Sequence, residues 1–312
     1  MGAKATREAF GEALVEVGGD PKHVVLDGDL MRSNMTYLFK EAYPDRFVEC
    51  GIAESNMVGV AAGLALSGKV AWASSFSCFI TGRLEVVRMS VGYNEANVRL
   101  AGTHAGIGIG DDGASQMALE DIAAMRALPN MTVIQPCDAA ETVGAVKYLA
   151  DEHEGPAFLR LTRQKLDDVN GDGYRFEFGK AVKLREGRDV CLFASGATVQ
   201  EALKAADELS GEGIEACVVN VHTLKPLDAE GIVREAEHCG GRAVSVEDHN
   251  VVGGLGSAVA EALSEAGSGS RLTILGCRDY GQSGSGAELY DAYGISAKHV
   301  AEAARTAVGR SS

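Results

Sequence analysis

Glu54 stands in Gly51-Ile-Ala-Glu-Ser-Asn56, just after a short apolar run and at the start of a helix-like stretch. A carboxyl group there can face a pocket at a sheet edge; the same position also suits an acid that only complements the helix dipole. Phe76 and Phe79 lie three positions apart in a chain with 6% aromatic residues. They can make a flat slot for a ring, or pack into the core at a strand–helix junction. The segment from Thr103 to Gln116 holds glycines at 106, 108, 110 and 113 beside His104, Asp111, Asp112 and Gln116. Glycine lets backbone approach a ligand closely, and a loop of this length in a compact domain is usually functional.

Other patterns carry less. Gly254-Leu-Gly256 resembles the opening of a dinucleotide fold, but no ribose-binding acid follows on the next strand, so it reads as a tight strand–helix turn. There is no Walker A loop. The histidines are scattered without HExxH spacing and the cysteines without CxxC pairs, so spacing predicts no metal site. Met1-Gly2-Ala3-Lys4-Ala5-Thr6 fits a myristoylation pattern, yet the residues after it read as an ordinary amphipathic helix.

The elements that must position these residues alternate between strand and helix. Short apolar strands are predicted at 23–27, 47–50, 70–75, 97–103, 132–135 and 157–161. Helices are predicted over 5–17, 53–67, from about 80, over 116–128 and over 139–150. Residues 166–187 lack apolar periodicity and read as a linker with room for one edge strand. The alternation then restarts, with strands at 189–194, 215–220, 243–247 and 272–276. Helices are predicted there at 198–209, 228–238, 254–265 and 297–308. The expectation is an α/β chain of two doubly wound domains, 1–165 and 188–312, with mostly parallel sheets. Ligands of such sheets sit beyond the carboxyl ends of the strands. That rule selects Asp27-Gly-Asp29, Gly51–Glu54, Ser74–Phe76, Thr103-His104 and Arg160–Arg163.

Composition sets the outer bounds. The 312 residues suit two domains of about 150 residues each. With 44 acidic against 29 basic residues the formal charge is −15, which disfavours nucleic acid and anionic membranes as partners. An anionic substrate must therefore be met by a local cluster of positive groups. Seven cysteines, an odd number with several in apolar runs, read as buried free thiols in a reducing compartment. No apolar run reaches the ~18 residues of a membrane span, and early charges at Lys4, Arg7 and Glu8 argue against a signal peptide. A cytoplasmic protein is expected.

Taken together, the motifs resemble the C-terminal half of transketolase over nearly the whole chain. Asp29-Leu-Met-Arg-Ser-Asn34 is similar to the family's DLTPSN, and Gly51-Ile-Ala-Glu-Ser to its GIREH. Phe76-Ser-Cys-Phe79 is similar to TFxxF, and Thr103-His104 through Glu120 to THDSIGVGEDGPTHQPIE. Leu161-Thr-Arg-Gln164 is similar to the start of LTRQNLP, while Val246-Glu-Asp248 and Gly281-Gln-Ser-Gly284 look like the family's C-terminal domain.

The resemblance implies a pyrimidine-binding domain followed by a transketolase C-terminal domain, and a two-carbon ketol transfer from a ketose phosphate to an aldose phosphate. It implies thiamine diphosphate, with Mg²⁺ held mainly by a separate N-terminal subunit. The diphosphate-binding domain is missing here, and Gly171-Asp172-Gly173 only imitates its signature inside the linker. A split enzyme, assembled as a heterotetramer, follows by analogy. Glu54 matches the acid on the cofactor pyrimidine, Phe76 and Phe79 the stacking aromatics, and Asp29 an acid near the thiazolium at the subunit interface. His104, Ser33 and Arg163 match phosphate contacts, and Asp112 a hydroxyl contact. Departures fall at Ser55 and Gln116, where the family often has histidine, and at Gly82, where it has an aromatic. Those at the substrate positions leave the acceptor sugar open. Two other readings stay open: a pyruvate-using relative of the 1-deoxyxylulose-5-phosphate synthase or 2-oxo acid dehydrogenase β type, and a non-catalytic structural or regulatory partner.

Overall fold

The computed structural model describes residues 3–171 and 173–310. The Met1-Gly2 start of the myristoylation-like pattern and Asp172 of the Gly-Asp-Gly imitation lie outside the described residues.

The chain is α/β with mostly parallel sheets. One sheet has seven strands in the spatial order Thr223–Lys225, Thr132–Ile134, Ala157–Arg160, Val98–Thr103, Val70–Phe76, His23–Asp27 and Phe47–Glu49. Its strands run parallel except Thr223–Lys225, which pairs antiparallel with Thr132–Ile134. That strand comes from the second sequence unit and covers an edge that would otherwise stand open. The other sheet orders Arg271–Cys277, Arg242–Asn250, Val190–Ala194, Ala216–Asn220 and Val182–Arg185. Only Val182–Arg185, inside the expected linker, is antiparallel there. At the boundary of the first domain and the linker, Lys165–Leu166 pairs antiparallel with Lys4–Ala5.

Burial on both faces explains the continuous apolar strands. Successive residues alternate between two cores: Val24, Leu26, Ala71 and Ala73 join one cluster, Val25, Val70 and Trp72 the other. The helix Thr6–Val17 places Phe10, Ala13 and Leu14 in the second cluster with Val146 and Leu149 of Ala139–Asp151.

Two helix expectations fail for local reasons. The helix predicted over 116–128 is confined to Asp121–Arg126. Upstream, Ala118 bridges Ala105 and its carbonyl accepts from Gly106 N–H (3.0 Å) and Arg160 Nη2 (3.0 Å), so tertiary bonds replace helical ones. The helix expected from about residue 80 is broken into Ser77–Thr81 and Leu84–Val86, which then widens into a π turn over Val87–Gly92.

All seven cysteines are free; Cys50 and Cys78 are half-buried and the rest buried. The thiols are not dispersed as the sequence spacing suggests: Cys191, Cys217 and Cys239 converge within 4.8 Å. Among the described residues no helix is long and apolar enough to cross a membrane.

Candidate active site

The register of the first sheet brings its carboxyl ends together. Asp27 pairs with Ser74 and with Glu49, and Phe76 pairs with Thr103. Each loop that leaves these strands therefore opens on the same edge. Gly51 turns the chain there with φ +66°, a conformation that costs a side-chain-bearing residue energy. The helix Glu54–Leu66 starts three residues later, so Glu54 occupies its first turn. Glu54 is only 7% exposed. Its carboxylate has no hydrogen bond or ion pair among the described residues. The Ser75 hydroxyl is likewise buried without a partner.

Phe76 and Phe79 do not form a slot. Their rings stack on each other at 5.5 Å and 12°. A ring held between them would need about 7 Å, twice the ~3.5 Å contact distance, so the pair offers an outer face. Phe76 stacks in addition on the His104 imidazole at 3.8 Å.

Beside this stack lies a cavity of about 600 Å³ lined by Arg7, Arg32, Ser33, Phe76, His104, Asp112, Gln116 and Arg163. All five residues expected to touch substrate, Ser33, His104, Asp112, Gln116 and Arg163, are brought together here. Glu54, Asp29 and Phe79 are not part of this lining. Asp29 is exposed, has φ +65°, and its N–H donates to Glu49 Oε1 (2.8 Å). Asp112 and Arg163 pair with one another at 2.9 Å.

The His104 ring is fixed by a buried relay. Asn34 Nδ2 donates to Asp27 Oδ2 (2.9 Å), which aims Asn34 Oδ1 at Thr103. The Thr103 hydroxyl donates to that oxygen (2.7 Å) and so has only lone pairs left for His104 Nδ1, 2.9 Å away. Nδ1 must carry the proton, which leaves Nε2 as an acceptor at the cavity, 3.4 Å from Arg7 Nη1. Burial, then the charges of Arg7 and Arg163, push the imidazole down to about 3, so the ring is neutral. Like Asp29, His104 adopts a left-handed backbone (φ +56°). Such strain persists only where the surroundings over-determine it.

The glycine loop serves a different purpose from the one expected. A Cβ at Gly106 would collide with the Asp248 carboxylate, and one at Gly108 with Gln164 Oε1. At Gly113 it would lie 2.6 Å from Ser283 Oγ. These glycines let Asp248 and Ser283 of the second domain and Gln164 of the first, rather than a ligand, approach the backbone. Asp248 accepts from Ile107 N–H (2.7 Å), Gly108 N–H (3.1 Å) and the Tyr290 hydroxyl (2.8 Å). Behind it, Arg160 is buried on Asp121 at 2.8 Å.

Sequence reasoning missed Arg7 and Arg32. Arg7 belongs to a helix that reads as merely amphipathic; its Nη1 donates to Ser33 O (2.7 Å), while its Nε is buried without a partner among the described residues. Burial lowers its pKa from the usual guanidinium value. The expected need for a local positive cluster was the available signal, but nothing in the spacing pointed to these two arginines.

In a two-domain α/β chain, a cavity at the carboxyl edge of a parallel sheet is where such folds bind their ligands, and here it is lined by arginines. Residues 2–168 match the family model "Transketolase, pyrimidine binding domain" and residues 179–300 match "Transketolase, C-terminal domain". The chain belongs to the transketolase family, a family of transferases. It is 40% identical to the 6-deoxy-6-sulfo-D-fructose transketolase subunit SqwH of Clostridium sp. (strain MSTE9), covering 97% of this chain and 94% of that one. Human transketolase is 39% identical over 96% of this chain, which spans 48% of the human protein's length. A split-gene transketolase described as an inactive β4 tetramer superimposes with a TM-score of 0.90 at 46% identity, covering 97% of this chain and 98% of that one.

Proposed function

We propose that this chain is the C-terminal subunit of a split, thiamine diphosphate-dependent transketolase. It transfers a two-carbon ketol unit between a ketose phosphate and an aldose phosphate. The observation that carries the reading is the cavity that gathers Arg7, Arg32 and Arg163 around Ser33 and His104, in a chain of net charge −15. Three guanidinium groups spaced around a cavity suit a phosphate group.

The residues also fit the aminopyrimidine half of the cofactor. Glu54 is a nearly buried carboxyl group with no partner among the described residues, and the Ser75 hydroxyl is a second such orphan at the end of a neighbouring strand. When bound, thiamine diphosphate supplies the carbon nucleophile that cleaves the ketose. Glu54 hydrogen-bonds the pyrimidine nitrogen, and the outer face of the Phe76–Phe79 stack excludes water from that ring. His104 Nε2 accepts a hydrogen bond from the substrate, the arginines and Ser33 hold its phosphate, and Asp112 and Gln116 meet hydroxyls. Asp29, exposed beside Glu49, would meet the thiazolium side of the cofactor once a partner covers it.

Diphosphate and Mg²⁺ fall to a separate N-terminal subunit, and two copies of each chain make a heterotetramer. Ile52, two residues before Glu54, is 83% exposed, which suits a surface that a partner covers. The inactive β4 assembly of the split-gene relative supports dependence on that partner. The test reconstitutes this chain with an N-terminal subunit and offers xylulose phosphate with ribose phosphate, and pyruvate separately. Ketol transfer by the pair, none by this chain alone, and loss of turnover in Glu54→Gln with an unchanged melting temperature are expected. Carbon dioxide release from pyruvate without ketol transfer, or full activity in Glu54→Gln, would overturn the reading.

A further inference from the structure

Three thiols meet at one point of the second sheet. Cys191 lies on the strand Val190–Ala194 and Cys217 on the neighbouring Ala216–Asn220. They are register partners in a parallel pair, so both side chains leave the sheet on the same face. Cys239 ends the helix Ala229–His238, whose Ile232 and Ala236 pack into the same core. All three sulfurs are buried and lie within 4.8 Å of one another.

Core packing asks only for small apolar side chains here. It does not ask for three sulfurs, delivered by three separate elements, at ligand spacing. Sulfurs held by one ion at about 2.3 Å sit roughly 3.8 Å apart, so a modest inward movement closes the site. Oxygen atoms stand at its rim: Glu235 Oε2 is 4.0 Å from Cys217 Sγ, and the Gly187 carbonyl is 3.7 Å from Cys239 Sγ. We propose that Cys191, Cys217 and Cys239 form a three-thiolate site for a thiophilic closed-shell ion, Zn²⁺ or Cu(I).

Each thiol releases its proton to solvent as its metal–sulfur bond forms, and no electron moves. Cu(I) is satisfied by sulfur alone, whereas Zn²⁺ takes Glu235 as a fourth, tetrahedral ligand. Lys183 Nζ, 3.1 Å from Glu235 Oε2, offsets the negative charge of the thiolates. Entry is short, because His238 and Gly240 on either side of Cys239 are exposed. Cys191 and Cys217 are each the second residue of their strand, at the amino end. The site is therefore independent of the cofactor reading, whose residues lie at carboxyl ends in the other sheet.

The test titrates the reduced, metal-free full chain with Cd²⁺, followed by Zn²⁺ and Cu(I) competition. One Cd²⁺ per chain is expected, with a sulfur-to-cadmium charge-transfer band of three-thiolate intensity. The order of displacement tells Zn²⁺ from Cu(I). Cys239→Ala, and Cys191→Val with Cys217→Val, should each weaken binding by more than about tenfold, the loss even an outer-shell mutation produces at a metal site. Cys50→Ser, in the other domain, should retain it. Circular dichroism separates lost binding from lost folding; should the double variant misfold, Cys239→Ala at the helix end decides. Unchanged uptake in Cys239→Ala, a band too weak for three thiolates, or equal loss in Cys50→Ser would overturn the proposal.

Discussion

The carboxylate of Asp248 accepts a hydrogen bond from the backbone N–H of Ile107 at 2.7 Å, joining the second domain to the loop that carries the cavity residues of the first. Gly108 N–H and Tyr290 complete its shell. The geometry of His104, Asp112 and Gln116 is therefore set partly from outside their own domain. Replacing Asp248 by alanine strands two backbone donors and one hydroxyl, each costing about 1–3 kcal/mol when buried and unpaired. A clearly lower melting temperature and faster proteolysis between residues 105 and 115 are expected. In a reconstituted enzyme the KM for a sugar phosphate should rise. Melting unaffected by Asp248→Ala would show that the loop holds its shape unaided.

The relay from Asp27 through Asn34 and Thr103 to His104 makes a spectroscopic prediction. The neutral imidazole should carry its proton on Nδ1, because Thr103 Oγ1 has already donated to Asn34. With the ring held down to about 3, that tautomer should persist as the solution is acidified to roughly pH 5. Thr103→Val keeps the shape, removes the acceptor, and strands Asn34 Oδ1 and His104 Nδ1–H, each costing about 1–3 kcal/mol when buried and unpaired. Long-range nitrogen–proton NMR should show Nδ1–H in the parent chain and a mixture of tautomers in the variant. An Nε2–H parent would contradict the relay.

Stability against pH follows from the buried histidines. Burial pushes His23 and His249 down to about 4 and His104 to about 3, against 6.5 for a free imidazole. Below 6.5 the unfolded chain takes up protons that the folded chain refuses, so stability falls as pH falls. The slope is about 1.4 kcal/mol per pH unit for each histidine while the window lasts. Glu247 acts in the opposite sense: burial raises it from 4.5 to about 7, so the folded chain keeps a proton the unfolded chain releases. Its contribution is present below 4.5 and disappears as pH rises through 7. Burial also pushes His153 down to about 4 and lowers His222, so the histidines outweigh Glu247, and urea melts from about pH 7 to about pH 5 should show a net loss. Glu247→Gln removes the opposing contribution and should steepen that loss; a shallower slope in the variant would reverse the assignment.

The parallel strands and the placement of Glu54 were legible because each depends on local pattern: short buried apolar runs, a glycine turn, a helix start. Of the cavity residues, His104, Asp112 and Gln116 were legible in the glycine-rich segment and Arg163 at a strand end, whereas Ser33 and the shared role of the set were legible only through motif resemblance, since they come from separated segments. What the pattern hid is tertiary. Arg7 reads as the solvent face of a helix, and only the fold brings its side chain to Ser33 and His104. The glycines at 106 and 108 read as ligand-approach positions because a carboxylate arriving from residue 248 leaves no local trace. Strand Thr223–Lys225 crosses to the other sheet on a preference that its three residues do not display. The convergence of Cys191 with Cys217 needs the strand register, and that of Cys239 needs the helix packing.

The pair Asp112–Arg163 separates stability from recognition. Its side chains are 33% and 40% exposed at 2.9 Å, a setting in which an ion pair contributes about 0–1 kcal/mol to folding. Its effect on an incoming anion is larger, because the Asp112 charge both occupies Arg163 and repels the ligand. Two charges about 4 Å apart near a protein surface interact by up to about 4 kcal/mol, and by about 1 kcal/mol in open water. Asp112→Asn should leave the melting temperature nearly unchanged. It should tighten inorganic phosphate binding at least about fivefold, roughly 1 kcal/mol, at low ionic strength. Added salt should erode that gain, since screening acts within about 10 Å at 0.1 M. Calorimetric titration at two salt concentrations checks both parts. Arg163→Lys, which keeps the charge but not the two-pronged geometry, should retain the salt dependence and lose affinity. Phosphate binding indifferent to Asp112→Asn would place the anion away from Arg163 and leave Arg7 and Arg32 to hold it.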